Sequence, residues 1–167
     1  LIIGVTGSKG KSTTSSLIYS ILKEAGKNVH LVGNIGEPAL HHLDDAEMNT
    51  IFVHELSSYQ LMDITVSPQI AVVTSFFLEH LDYHGSLEAY KDAKKQIARF
   101  QTPDHIIFYS DQSVEVEEIA LTSSGQKILY HADDAPVNLA DTKLIGQHNL
   151  LNIAGTWKVA EHLGVSE

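Results

Sequence analysis

The sequence predicts an α/β fold, a mostly parallel sheet flanked by helices. Short apolar runs rich in β-branched residues recur along the chain, and amphipathic helical patterns separate most of them. Runs that are apolar on both faces belong to strands covered on two sides, the habit of parallel sheets with crossover helices. In such sheets ligands bind at the carboxyl ends of the strands. The stretches that directly follow the apolar runs are therefore the ones to inspect for chemistry.

The runs occupy residues 1–5, 29–32, 51–53, 70–74, 106–109 and 128–130. Between the first two, Leu17, Ile18, Ile21, Leu22 and Ala25 share one helical face, and Gly26 is a stop signal. A second helix is expected after Ser86, ending near Phe100. A third should start near Ser113, and a fourth should run from about Asn149 to Leu163, with Gly164 at its end. Residues 133–143 are the most loop-like stretch and read as a surface excursion. No internal repeat, low-complexity segment or domain boundary is evident.

A chain of 167 residues is one domain by the usual prior and can bury a substantial core. Its hydrophobic fraction of 43% and charged fraction of 19% are those of an ordinary globular protein, and no apolar run is long enough for a membrane-spanning helix. The absence of cysteine removes disulfides and cysteine-ligated zinc, and suits a cytoplasmic location. A net charge of −10 argues against nucleic acid as the main partner, since counterion release needs clustered Lys and Arg. It leaves nucleotides open, because one lysine and backbone N–H groups can hold a phosphate on an acidic protein. The opening "LIIGVTG" begins inside a core strand with no initiator Met, so the chain reads as an excised piece of something longer.

The first strand exit is "GVTGSKGKST", residues 4–13. The strict phosphate-loop spacing would need glycine at position 5, which is Val5, and the partition-type variant would need lysine at position 6, which is Thr6. The context is nonetheless that of a phosphate loop: strand, glycine-rich turn, then an amphipathic helix whose N-terminus faces the turn. Gly7 and Gly10 allow tight turns, Lys11 can reach terminal phosphates, and the Ser12 hydroxyl can ligate Mg²⁺. Thr6, Ser8, Lys9 and Thr13 complete the candidate ATP loop. A glycine turn with a lone exposed lysine is the bland alternative.

The third exit reads "IFVHELSSYQL", where Glu55 is the candidate metal carboxylate and Ser57 and Ser58 are available to a substrate. A serine capping a following helix explains the same residues and is compatible with that role. The fourth exit is "TSFFLEHLDYHGS". His80 and His84 have the spacing of a helical zinc pair, but Gly85 follows at once and no third ligand is near. His80, beside Glu79 and Asp82, suits a polar site with a second Mg²⁺, and a polar surface loop accounts for it equally well. On the helix "SLEAYKDAKKQIARF", Leu87, Tyr90, Lys94 and Ile97 form one stripe, which turns Lys94 inward, while Lys95 keeps company with Lys91, Asp92 and Arg99. An inward lysine either snorkels or has a partner or a task. Near the end, "IGQHNLLNIAG" sets His148, Asn149 and Asn152 at a helix start, with Asn149 as a candidate N-cap.

These stretches, in this order, resemble the central ATP-binding domain of the Mur ligases, the ATP-dependent amide-forming enzymes of peptidoglycan synthesis. The family's phosphate loop has the compressed form T-G-x-x-G-K-[ST], matched by Thr6 to Ser12. "GNIG" (33–36) and "ELSSYQL" (55–61) look like the D-glutamate-adding branch. The resemblance covers nearly the whole chain and implies a P-loop NTPase-like fold that uses ATP and Mg²⁺. It implies that Lys11 and the loop hold the β- and γ-phosphates, that Ser12 and Glu55 hold one Mg²⁺, and that His80 helps to hold a second. The segment Tyr90 to Lys94 aligns Lys94 with a lysine carried as a carbamate, a metal-ligating anion. Asn34 and Ser57 would face the UDP-sugar substrate, with His148, Asn149 and Asn152 beside adenine. Catalytic roles would then fall to Lys11, His80 and Lys94.

The implied reaction joins D-glutamate to UDP-N-acetylmuramoyl-L-alanine through an acyl phosphate. The implied domain organisation makes residues 1–167 the central domain, with flanking UDP-binding and amino-acid-binding domains as further partners. One departure is local. Where the family usually has N-[IV]-[TS]-[PE]-D-H, this chain has Ser75, Phe76, Phe77, Leu78, Glu79 and His80. Two alternatives stay open: another ligase of the superfamily, of folylpolyglutamate synthase or cyanophycin type, and an ATP-binding module without amide chemistry.

Overall fold

The computed structural model describes every residue except Leu43, Asp45, His80 and Glu167. Six strands form one sheet: β1 (Ile2–Thr6), β2 (Val29–Gly33), β3 (Ile51–Glu55), β4 (Ile70–Val73), β5 (Ile106–Ser110) and β6 (Gln126–Tyr130). Their order is β2-β3-β1-β4-β5-β6, and every neighbouring pair is parallel. The sequence places all six, with ends shifted by a residue or two. The chain leaves β1 toward one side to form β2 and β3, then crosses to form β4 on the other. The switch therefore lies at β1, where the rule for open parallel sheets puts a ligand.

The helices are α1 (Lys11–Glu24), α2 (Ser58–Leu61), α3 (Leu81–His84), α4 (Leu87–Arg99), α5 (Val114–Ala120) and α6 (His148–His162). Strand side chains alternate between two cores. Ile3, Val5, Val53, Val72 and Phe108 meet Ile18 and Leu22 of α1 and Ala154 and Val159 of α6. Ala71, Val73 and Ile107 meet Leu61 of α2, Tyr90 and Ile97 of α4, and Val116 and Ile119 of α5. A strand such as β4, buried at all four positions, reads as a continuous apolar run because each face has its own helical layer.

The stop signals act through hydrogen bonds. After α1, Gly26 N–H donates to the Lys23 carbonyl and Lys27 N–H to that of Leu22, closing a Schellman turn. After α6, Gly164 and Val165 repeat it on Glu161 and Ala160. Ser86 caps α4, its Oγ accepting from Ala89 N–H at 3.1 Å.

Several details differ from the sequence reading. Helix α6 starts one residue early, with Gln147 as its cap. Asn149 is thus not the N-cap; its Nδ2 donates to the Ile145 carbonyl at 2.9 Å. His84 ends the short helix α3 rather than lying in a loop. Lys91 is largely buried instead of solvated, because Glu118 on α5 (2.6 Å) and Glu88 (2.8 Å) hold its ammonium where α4 packs on α5. Among the described residues no helix is long and apolar enough to cross a membrane.

Candidate active site

The turn after β1 is a tight loop held from outside. Gly10 has φ of 87°, a left-handed conformation that a residue with a Cβ resists, and an added Cβ would fall against the Asn152 side chain. Lys9 is fixed by the residues that follow β4. Thr74 Oγ1 and Ser75 Oγ both donate to its carbonyl, at 2.6 and 2.8 Å, while its N–H donates to Ser75 Oγ at 2.9 Å. The buried Ser8 hydroxyl bridges the Phe77 backbone, accepting from its N–H (2.8 Å) and donating to its carbonyl (3.0 Å), and lies 3.0 Å from Tyr90 Oη. Thr6 is fully buried, its hydroxyl donating to the Leu56 carbonyl, so its side chain faces no cavity.

Lys11 folds back over the loop, its Nζ donating to the carbonyls of Gly7 (3.0 Å) and Ser8 (2.9 Å). Burial lowers its pKa, against the opposing pull of Glu55 and Glu79. Lys94 lies 1% exposed, and its Nζ donates to the same Gly7 carbonyl at 2.8 Å. Among the described residues no carboxylate forms an ion pair with it. Burial, and secondarily the charge on Lys11, push its pKa down to about 7.

Glu55 ends β3, in register with Val5 of β1 and Gly33 of β2. It is 3% exposed, and its Oε2 has no hydrogen-bond partner among the described residues. A desolvated carboxylate oxygen left unpaired is expensive, so an absent partner is implied. A hard divalent cation satisfies it, and the Ser12 hydroxyl at the start of α1 is a second oxygen of the same kind. No group of three or more His, Asp or Glu able to hold a metal exists among the described residues, so phosphate oxygens would have to complete the shell. His80 lies outside the described residues. Its neighbour Glu79 is 2.6 Å from Lys9 Nζ, and His84 Nε2 is 3.0 Å from Ser58 Oγ.

Two cavities flank the loop. One, of about 530 Å³, reaches from Lys9, Gly10 and Thr13 to His148, Leu151 and Asn152 on α6. Asn152 is backed by Asn149, whose Oδ1 accepts from Asn152 Nδ2 at 2.8 Å, so Asn149 supports the wall rather than forming it. The other, of about 260 Å³, is polar and is lined by Lys11, Asn34, Ser57, Tyr90 and Lys94. Ser57 also caps α2 in a capping box with Gln60, and its hydroxyl donates to Gln60 Oε1 at 2.9 Å. A phosphate chain laid along the loop would run from the first cavity toward the second.

The sequence reading missed Thr74, Ser75 and Gln112. Gln112 lines the larger cavity and accepts from Phe76 N–H at 2.8 Å. It follows β5, so the rule of inspecting strand exits, applied to the fifth run as to the others, finds it.

Residues 5–115 match the family model described as the Mur ligase middle domain. The chain is 36% identical over 183 aligned residues to the UDP-N-acetylmuramoylalanine--D-glutamate ligase of Bacillus cereus, covering 98% of this chain and 41% of that one. It is 38% identical over 184 residues to the ligase of the same name from Bacillus cytotoxicus, with the same coverage. It thus spans about two fifths of the length of these curated relatives. Solved structures share the fold. The MurF ligase of Thermotoga maritima in complex with ADP superposes with a TM-score of 0.74 at 22% identity, over 99% of this chain and 46% of that one. MurF from Acinetobacter baumannii gives 0.75 at 19%, over 99% and 43%.

Proposed function

The chain belongs to the Mur ligase family, as one of its middle domains, and from that premise we propose that it is the ATP-using domain of a cytoplasmic ligase that adds D-glutamate to UDP-N-acetylmuramoyl-L-alanine. The observation that carries the chemistry is the loop at the β1 switch, flanked by two cavities, with the unpartnered Glu55 carboxylate behind it. The choice of substrates rests on the names of the relatives and on "ELSSYQL" at the rim of the polar cavity.

The substrate carboxylate attacks the γ-phosphorus of ATP, the bond to the β-phosphate oxygen breaks, and ADP leaves an acyl phosphate. The amine of D-glutamate then attacks the acyl carbon, loses a proton, and phosphate departs. Lys11 exchanges the carbonyls of Gly7 and Ser8 for phosphate oxygens, and backbone N–H groups at the start of α1 hold the rest of the chain of phosphates. Glu55 and Ser12 would hold Mg²⁺, which when bound offsets the charge gathering on the phosphates. Asn34 and Ser57, which line the second cavity, would meet the acceptor. Lys94, with an amine that is partly neutral near pH 7, is the proposed site of the carbamate. The ammonium first loses one proton; the neutral nitrogen then adds to the carbon of CO₂ and releases a second, so that a buried cation becomes an anion. Flanking domains of the intact protein would supply the rest of the UDP and amino-acid surfaces.

The test is phosphate release from Mg-ATP by the intact protein. Release should require both UDP-N-acetylmuramoyl-L-alanine and D-glutamate, and vanish in Lys11→Ala. Turnover with a different amino acid or a folate acceptor would move the protein to a sibling, and ATP binding without any acceptor-dependent turnover would leave a nucleotide-binding module.

A further inference from the structure

The lining of the larger cavity includes Phe77, a large apolar side chain that is 47% exposed. Its backbone is held on both sides. Phe77 N–H and carbonyl are bridged by Ser8 Oγ of the loop itself, and the preceding Phe76 N–H donates to Gln112 Oε1. The ring is therefore presented from a backbone anchored to the phosphate loop. The same cavity is lined by His148 and Leu151 of α6. The lining also carries the polar side chains of Thr74, Ser75 and Asn152.

We propose that Phe77 is the stacking residue for the base of the bound nucleotide. The inference rests on the nucleotide reading above and deepens it. An exposed aromatic ring carries a cost in water that a base face removes, and stacking of a base on an aromatic ring strengthens binding by roughly fivefold or more. The ribose and base have to leave the loop on the side away from Lys11 and Lys94, and that side is this cavity. Ser8, together with the bonds from Thr74 and Ser75 to Lys9, ties the wall to the loop and sets the distance between base and phosphate subsites.

The experiment compares two ligands by calorimetry on the intact protein: Mg-ATP, and magnesium tripolyphosphate, which has the phosphates without the base. Phe77→Ala should weaken ATP binding roughly tenfold and leave tripolyphosphate unchanged, Phe77→Trp should retain ATP affinity, and Phe77→Leu should fall between. Because the side chain is half-exposed, these variants should melt with the wild type, and a melting scan confirms that each is folded. Unchanged ATP affinity in Phe77→Ala overturns the proposal. So does an equal loss for both ligands, which would mean that Phe77 acts only by shaping the loop. Wild type that binds neither ligand would refute the nucleotide reading itself and the stacking role with it.

Discussion

The ammonium groups of Lys11 and Lys94 converge on one acceptor, the carbonyl oxygen of Gly7, at 3.0 and 2.8 Å. Two cations share one neutral dipole, and each makes the other harder to keep charged. The loop thus rests with its lysine turned onto its own backbone. An incoming anion offers both ammoniums better acceptors, so it should bind where two positive charges already meet.

Lys11→Ala removes the cation proposed to reach the terminal phosphates. Charge-assisted hydrogen bonds contribute about 1.5–3 kcal/mol each, so Mg-ATP affinity should fall by roughly 100-fold or more if two are lost. Calorimetry on wild type and variant decides it, and a loss below tenfold would place the phosphates elsewhere.

Lys94 should make stability depend on pH. Its folded pKa, about 7, lies below the unfolded value of 10.5, so the unfolded chain holds the proton more tightly between these values. The penalty of the buried ammonium is fully present below pH 7, fades as pH rises through that window, and is gone above 10.5. Lys94→Met should therefore be more stable than wild type, with the gap widest at pH 6 and narrower at pH 9. Chemical denaturation at the two pH values measures it. A gap that does not change with pH would show that the group is not a buried amine titrating in this range.

Glu55→Gln separates metal from fold. Replacing an unpartnered buried carboxylate with a neutral amide should raise the melting temperature of the metal-free protein by roughly 2–4 °C per kcal/mol relieved. The same change should abolish the dependence of ATP binding on Mg²⁺. A variant that melts lower, or that keeps its magnesium dependence, would remove Glu55 from the metal site.

Gly10→Ala tests the loop's closeness to α6. The left-handed backbone at Gly10 and the contact with Asn152 both oppose a methyl group. Backbone strain of this kind costs about 1–3 kcal/mol, so the variant should melt several degrees lower and bind Mg-ATP more weakly. Wild-type melting would mean that Asn152 yields without cost.

Ser75→Ala removes both bonds from Ser75 to the Lys9 peptide and leaves the Thr74 bond in place. ATP affinity should fall by a few-fold and the melting temperature by several degrees, since two neutral hydrogen bonds of about 0.5–1.5 kcal/mol each are lost. A lower melting temperature with ATP affinity unchanged would mark Ser75 as a fold residue only.

The sequence by itself determined the alternation of strands and helices, the two helix stops at Gly26 and Gly164, and the glycine-rich loop between Thr6 and Ser12 that leads into α1. Those features are written in local pattern: apolar period, glycine position and the residues that follow each strand. It also turned Lys94 inward, because one helical stripe is enough to say so. Only the tertiary structure decided what Lys94 meets, since its acceptor, Gly7, lies 87 residues away in the chain. The same holds for Thr74 and Ser75 pinning Lys9, for Glu118 burying Lys91, and for Gln112 joining the cavity wall. Asn149 shows the limit from the other side: its type suits a cap, but the packing of α6 beside α1 starts the helix one residue earlier and turns Asn149 into a support for Asn152. Local sequence sets backbone geometry over a few residues. The contacts that make a site from those pieces depend on which strand ends the sheet brings together, and that order is a property of the whole fold.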